Sequence, residues 1–236
     1  MYAANNLRAG GAFLKNVTQD FLDHIYKYEY YANIYSHEVT MLEKKSTRVR
    51  KEEIVQAALE VVGRKGFRAL TIAAIAASAG MSEANIYRHF SGKDEIYCAL
   101  TEFIESAVMG KAATIAGGSR KPLEKLETIF FSHITLISEY PGIPRFVFSD
   151  DVHLGHRNIA DILALRIGNY IETITGVIAA GIAEGELKPG LSPRETALTL
   201  LGIIQFTALR WTISNASFEL RPEAEKLWQN FLILVR

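Results

Sequence analysis

Residues 71–97 read TIAAIAASAGMSEANIYRHFSGKDEIY and decide the fold. Ile72, Ile75, Ala76 and Ala79 recur at i, i+3, i+4 and i+7, the spacing of one helix face. Gly80 supplies the residue that enters the left-handed region and ends that helix. Ser82, two positions on, is placed to accept a hydrogen bond from an orphan N–H of a second short helix. That helix is expected over Glu83 to Phe90, with Ile86 and Phe90 one turn apart and facing inward. Two short helices joined by a tight glycine-containing turn make a helix-turn-helix.

The outward face of the second helix carries the chemistry. Rotating about 100° per residue from Ile86 puts Ala84 and Arg88 nearly opposite the buried side, with Asn85 and Tyr87 beside them. A guanidinium, an amide, a phenol and a small methyl are groups that meet base edges and phosphates. A solvated helix face in an ordinary bundle carries the same residue types, so the pattern alone leaves both readings open.

Four segments go further: Thr71-Ile72-Ala73-Ala74-Ile75-Ala76, Ala79-Gly80-Met81-Ser82, Ile86-Tyr87-Arg88-His89-Phe90 and Lys93-Asp94-Glu95. Together they closely resemble the DNA-binding domain of the TetR (tetracycline-repressor-like) family of transcriptional regulators. The resemblance covers Arg48 to Tyr97, and its most specific part is the Tyr-x-His-Phe-x-x-Lys run at Tyr87–Lys93. It implies an all-helical homodimer, a repressor that binds pseudo-palindromic operator DNA and leaves it when a small molecule enters a second domain. It also implies phosphate contacts at Thr71 and Lys93. Arg48 and Arg50 from the basic run, with Ser82 and His89 at the ends of the reading helix, complete the expected DNA-facing set.

Charge agrees with a local nucleic-acid surface. Lys plus Arg equals Asp plus Glu at 26 each, so no global field steers the chain to DNA. Residues 44–51 nevertheless hold five basic residues and no acidic one, a locally basic module next to the helix-turn-helix. The single cysteine, Cys98, excludes an intrachain disulfide and suits a reducing cytoplasm. No uninterrupted apolar run approaches the roughly 18 residues expected of a membrane span, and no secretory leader is legible. The expectation is a soluble, cytoplasmic protein without membrane contact. Residues 1–45 are Tyr-rich and without strong period; they are expected to be a flexible extension, or an artefact of a start misassigned at Met1 in place of Met41, with a functional arm as the alternative.

The rest reads as helices. One spans Thr47 to Lys65 and ends at Gly66; one runs from Ser91, its expected cap, to about Ile115. Others are expected over Pro122–Glu139, Asn158–Glu184, Pro193–Asn215 and Glu223–Val235, with an apolar segment at Arg145–Phe148 between them. No alternating β-branched run or Asn-Gly hairpin is present. The class is all-α, of about nine or ten helices: a three-helix helix-turn-helix domain over 46–97, then a helical ligand-binding and dimerisation domain over 98–236.

Within that second domain, aromatic residues serve either as plain core or as walls of an apolar cavity, and singly each is better read as core. As a set, Phe103, Phe130, Phe148 and Tyr170, with His133, Gln205 and Arg210 as polar groups on apolar helices, form a candidate pocket for a small apolar or aromatic effector. The last two helices are rich in apolar surface, and Leu198, Leu201, Gly202, Gln205, Leu227 and Phe231 are the expected dimer contacts. His153 and His156 stand near Asp150 and Asp151, but the spacing is not that of a common zinc site and no cysteine joins them. They are read as polar residues at a helix entry, with no metal, cofactor or catalytic residue called for. An all-α ligand carrier without a DNA role is the first rival reading, and a helical enzyme the second.

Overall fold

Thr71 and Ser82 both cap as the sequence suggests. The computed structural model describes residues 46–236; the extension expected over 1–45 lies outside the described residues. Helix α1 is Thr47–Lys65, α2 is Ile72–Ser78 and α3 is Glu83–Tyr87. Thr71 Oγ1 accepts from Ala74 N at 3.1 Å, and Ser82 Oγ from Asn85 N at 3.2 Å. Each therefore satisfies one of the four N–H groups that a helix start leaves without a partner. Gly80 adopts φ 62°, and Met81 N reaches back to Ala76 O at 2.9 Å, the six-to-one bond of a glycine-terminated helix. Helix α3 is shorter than the expected Glu83–Phe90, because its end tightens: His89 N bonds Ile86 O at 2.9 Å, one residue nearer than α-helical pairing.

Ile54, Ala58, Val62, Ile75, Ile86 and Phe90 are almost wholly buried. They form the core of the three-helix head, and Ile96 and Leu100 of the next helix complete it. That helix, α4, is Lys93–Ile104. Ser91 does not cap it. Its N-cap is Gly92, which provides no side chain, and the serine's backbone N and Oγ both donate to Glu95 Oε2. The carboxylate thus reaches back to satisfy the entry, the reverse of the expected arrangement.

Helix α4 does not simply continue to residue 115. Residues Glu105–Gly110 form a π-helical turn, followed by α5, Lys111–Ala116. Such wide turns are rare and mostly occur as single-turn insertions within α-helices. Periodicity did not show it, because the rod remains helical on both sides. Beyond it lie α6 (Pro122–Glu139), α7 (Gly142–Val147), α8 (Asp150–Gly155), α9 (Arg157–Ala183), α10 (Pro193–Ile213) and α11 (Leu220–Val235). The apolar segment after Pro141 is therefore helix α7. No strand occurs among the described residues. Residues 47–236 form one unit, in which α9 packs on α10 and α6, and α11 on α6 and α10.

Helix α7 lies against α1 with almost no side chain between them. A Cβ at Gly142 would stand 2.1 Å from Leu59 O, and one at Gly63 would stand 3.1 Å from Gly142 N. Only glycine permits that backbone-to-backbone approach. Arg68 Nε also pairs with Asp151 of α8 at 3.1 Å, while Phe67 packs on both Tyr97 and Phe146.

The count of apolar runs needs correction. Helices α9 and α10 are long and apolar enough to cross a bilayer by length and composition. Counting uninterrupted apolar residues missed them because Gly, Thr and isolated charges punctuate both. Each contributes core residues here, among them Leu163, Tyr170 and Ile174 of α9 and Leu200 and Ile204 of α10.

Candidate functional site

Two features stand out, one at each end of α4. At the head, Ile86 is fully buried, and this fixes the rotation of α3. Ala84, Tyr87 and Arg88 are consequently exposed and Asn85 half-exposed; Tyr87 leaves 55% of its surface free. Thr71, Tyr87 and Lys93, which come from three different elements, meet around one shallow groove with the Ser91-Gly92 turn, and Ile72, Asp94 and Glu95 complete its lining. The hydroxyl, phenol and ammonium of this rim suit a phosphate backbone, Glu95 being engaged by Lys51 and Ser91, while Ala84, Asn85 and Arg88 stand on the adjoining helix face. Lys93 sits at an N-terminus, where its charge opposes the helix dipole, and no acidic group is paired with it among the described residues.

Other residues of the expected DNA-facing set are less free. Arg48 is exposed and loosely paired with Glu52 at 3.8 Å. Arg50 is partly buried and held by Glu53 at 2.9 Å, so its guanidinium is already engaged. His89 is half-buried, with a buried Nδ1 that has no hydrogen-bond partner among the described residues. Ser82 has its hydroxyl committed to the cap. Sequence reading missed the clamp beside these groups: Lys51 Nζ bonds Glu95 Oε1 at 2.9 Å and lies 4.8 Å above the Phe90 ring. Lys51, followed by the two Ser91 donors, lowers the Glu95 carboxyl to about 2, tying α1 to α4.

At the other end of α4, a cavity of about 320 Å³ opens among α4, the π turn, α6, α7, α9 and α10. Ile104, Val108 and Met109 line it from the helical rod, Ile143, Pro144 and Val147 from α7, and Leu163 and Tyr170 from α9. Its size and apolar lining are those of a small-molecule site. No Asp, Glu, Lys or Arg lines it. His133 and Tyr170 form its buried polar end, Nδ1 and the phenol oxygen lying 3.2 Å apart. Burial lowers His133 to about 4 and raises Tyr170 above the usual phenol range, so both are neutral at pH 7.

Of the residues expected in a pocket, His133, Phe148, Tyr170 and Gln205 do line the cavity. Phe103, Phe130 and Arg210 do not. Phe103 meets Tyr140 edge-on at 5.2 Å, on another face of α4. Phe130 belongs to the core against Trp228, at 5.3 Å. Arg210 is exposed, pairs with Glu223 at 3.1 Å and covers Phe218. Helix rotation, invisible before packing is known, separates these from the others.

Similar rotation re-sorts the expected dimer contacts. Leu201 is 7% exposed and Phe231 1%, so both lie inside their own subunit. Leu201 faces the cavity beside Gln205, and Phe231 packs on Trp228. Leu227 is half-buried. Leu198 and Gly202 are exposed, lie on the cavity rim and start an outward stripe that runs on through Phe206, Leu209 and Ile213. Phe206 leaves 62% of its surface free and Ile213 76%. The histidines after α7 go to separate partners: His153 Nε2 to Val147 O at 2.7 Å, and His156 to Asp94 at 3.6 Å and to the Tyr97 ring.

Residues 54–100 match the tetR family of bacterial regulatory proteins. The nucleoid occlusion factor SlmA of Marinobacter nauticus is 31% identical over 150 residues, covering 63% of this chain and 74% of that one. The chain belongs to the TetR family. As a member it is a DNA-binding regulator, and α2–α3 are its helix-turn-helix. Solved structures agree in fold. FadR of Bacillus subtilis, determined in complex with stearoyl-CoA, superimposes with TM-score 0.64 at 19% identity, over 77% of this chain and 97% of that one. The ketosteroid transcriptional regulator KstR2 of Mycobacterium tuberculosis gives 0.66 at 19% identity, over 79% and 94%. These TetR-like structures share the N-terminal reading head and the C-terminal helical bundle.

Proposed function

We propose that this TetR-family regulator is a homodimeric cytoplasmic repressor that leaves a pseudo-palindromic operator when a small apolar or aromatic molecule fills its cavity. One observation carries the reading: the cavity walls are the elements that hold the head. Helix α4 belongs to the head core through Ile96 and Leu100, then lines the cavity through Ile104 and the π turn. Helix α7 lines it through Ile143, Pro144 and Val147 and touches α1 through Gly142. A molecule that displaces either wall has a short mechanical path to the reading helix. Residues 46–97 and 98–236 then divide by role, reading and sensing.

Ala84, Asn85 and Arg88 are the proposed base-reading group, and Thr71, Tyr87, Lys93 and Arg48 the proposed phosphate contacts. Helices α10 and α11 are the proposed dimer face, now through Leu198, Phe206, Leu209 and Ile213 with Ile233 and Leu234, all exposed and apolar. An unpartnered stripe of this kind on a long helix calls for a second surface. FadR of Bacillus subtilis was solved with an acyl thioester, which is consistent with an apolar effector here without identifying it.

Two reading helices on a two-fold dimer must lie roughly 34 Å apart to enter successive major grooves. Selection of binding duplexes from a random pool is expected to enrich two inverted half-sites about one helical turn apart. A pool with no enriched sequence, or a single unrepeated half-site, would sink the reading. Phe206→Glu is expected to leave the fold intact but yield monomers by sedimentation, with operator affinity reduced at least tenfold.

A further inference from the structure

Resting on the effector-cavity reading, we propose that His133 and Tyr170 form a neutral hydrogen-bonding pair that selects effectors bearing an uncharged carbonyl oxygen on an otherwise apolar skeleton. The argument is a count of protons. A neutral imidazole has one N–H and a phenol one O–H. One of these two donors is used in the 3.2 Å contact between Nδ1 and the phenol oxygen. If Tyr170 donates to Nδ1, the His133 Nε2–H is left over; if Nδ1–H donates to Tyr170, the phenol O–H is left over. Either way one donor remains, and the pair bonds to no other protein group among the described residues. Both residues line the cavity.

A donor left without an acceptor in an apolar site is costly. A ketone, ester or thioester oxygen answers it without bringing a further proton that needs a partner. The rest of the wall argues against a charged head group. Its remaining members are aliphatic or aromatic apart from Gln205 and Gly202. Arg166, which pairs with Glu105 through Nη2 at 3.0 Å and keeps a buried Nη1 without a partner among the described residues, stands outside the lining. A carboxylate held at this end would be stripped of water with no charged side chain in the lining to meet it.

The test compares three probes of one chain length, decane, 2-decanone and decanoate, in displacing the neutral dye Nile red at pH 8. The expected order is 2-decanone at least tenfold tighter than decane, with decanoate at least tenfold weaker than 2-decanone. In His133→Phe/Tyr170→Phe the ketone advantage should vanish while decane still binds, which also shows that the cavity is intact. Each single variant keeps one donor and should keep part of the advantage. If the double variant does not fold, the wild-type comparison decides alone. Equal affinity for decane and 2-decanone, decanoate binding as tightly as the ketone, or a ketone advantage that survives the double substitution would overturn the inference and leave the cavity standing. Failure of all three probes to displace the dye would overturn the effector-cavity reading and the inference with it.

Discussion

The reading head and the bundle behind it are built in different ways. The head spends five residues on α3 and seven on α2, too few to be stable alone. Each is held by a side-chain cap and a few buried residues, Ile72, Ile75 and Ala76 in α2 and Ile86 in α3, and α2 is stopped by Gly80. The bundle spends 27 residues on α9 and 21 on α10, neither start having a side-chain cap bond, and relies on apolar packing. What the head exposes is polar and specific; what the bundle encloses is apolar and nearly chargeless. The difference teaches where each half is sensitive: the head to single hydrogen-bonding groups, the bundle and its junction to shape.

The largest effect is expected at the junction. Gly142→Ala puts a Cβ against Leu59 O, a backbone atom that cannot swing away, and should cost roughly 3 kcal/mol or more in urea unfolding. A cost below about 0.5 kcal/mol would mean that α1 and α7 do not meet backbone to backbone. Next come the head's exposed groups. Arg88→Ala or Asn85→Ala should lose about 1–3 kcal/mol of operator affinity and loosen preference at particular base pairs, with the melting temperature unchanged. Lys93→Ala should weaken all duplexes alike and flatten the salt dependence. A uniform loss for Arg88 as well would remove its base-reading role.

Legibility in the sequence followed the same division. The head was readable because its signals are local: Thr71, Gly80 and Ser82 act within four residues of themselves, and Ile86 alone orients α3. The bundle was readable as helices but not as surfaces. Phe130 and Phe148 look alike in sequence, yet one is core and the other lines the cavity; Leu201 and Phe206 are five residues apart, yet one faces in and the other out. The π turn shifts the register of the rod after Ile104 without any composition signal, and the Gly142–Leu59 approach depends on two segments 83 residues apart (142 − 59). Such facts belong to tertiary packing.

Smaller effects sharpen the contrast. Ser82→Ala removes the α3 cap and should cost about 1 kcal/mol, reported by thermal unfolding; no change would show that the cap is redundant. The Lys51–Glu95 clamp is largely exposed, so Glu95→Gln should cost only about 0.5 kcal/mol. Its pH dependence has a definite sign. The Glu95 carboxyl is depressed to about 2 from 4.5, so the folded state binds the proton less well than the unfolded chain. The stabilisation is therefore fully present above pH 4.5 and fades as pH falls toward 2. Glu95→Gln should remove that slope, and an unaltered acid profile would remove the clamp from the account.

The central claim is that the cavity controls the head. It is tested by fluorescence anisotropy of the selected operator duplex, titrated with the wild-type protein with and without saturating 2-decanone, alongside 2-decanone affinity measured with and without the duplex. A ligand shifts such an equilibrium only by its differential affinity for the two states, and the coupling is reciprocal. The expected result is weaker operator binding with the ketone present, and ketone binding weakened by operator by the same factor. Operator affinity that is unchanged at saturating 2-decanone would contradict the claim.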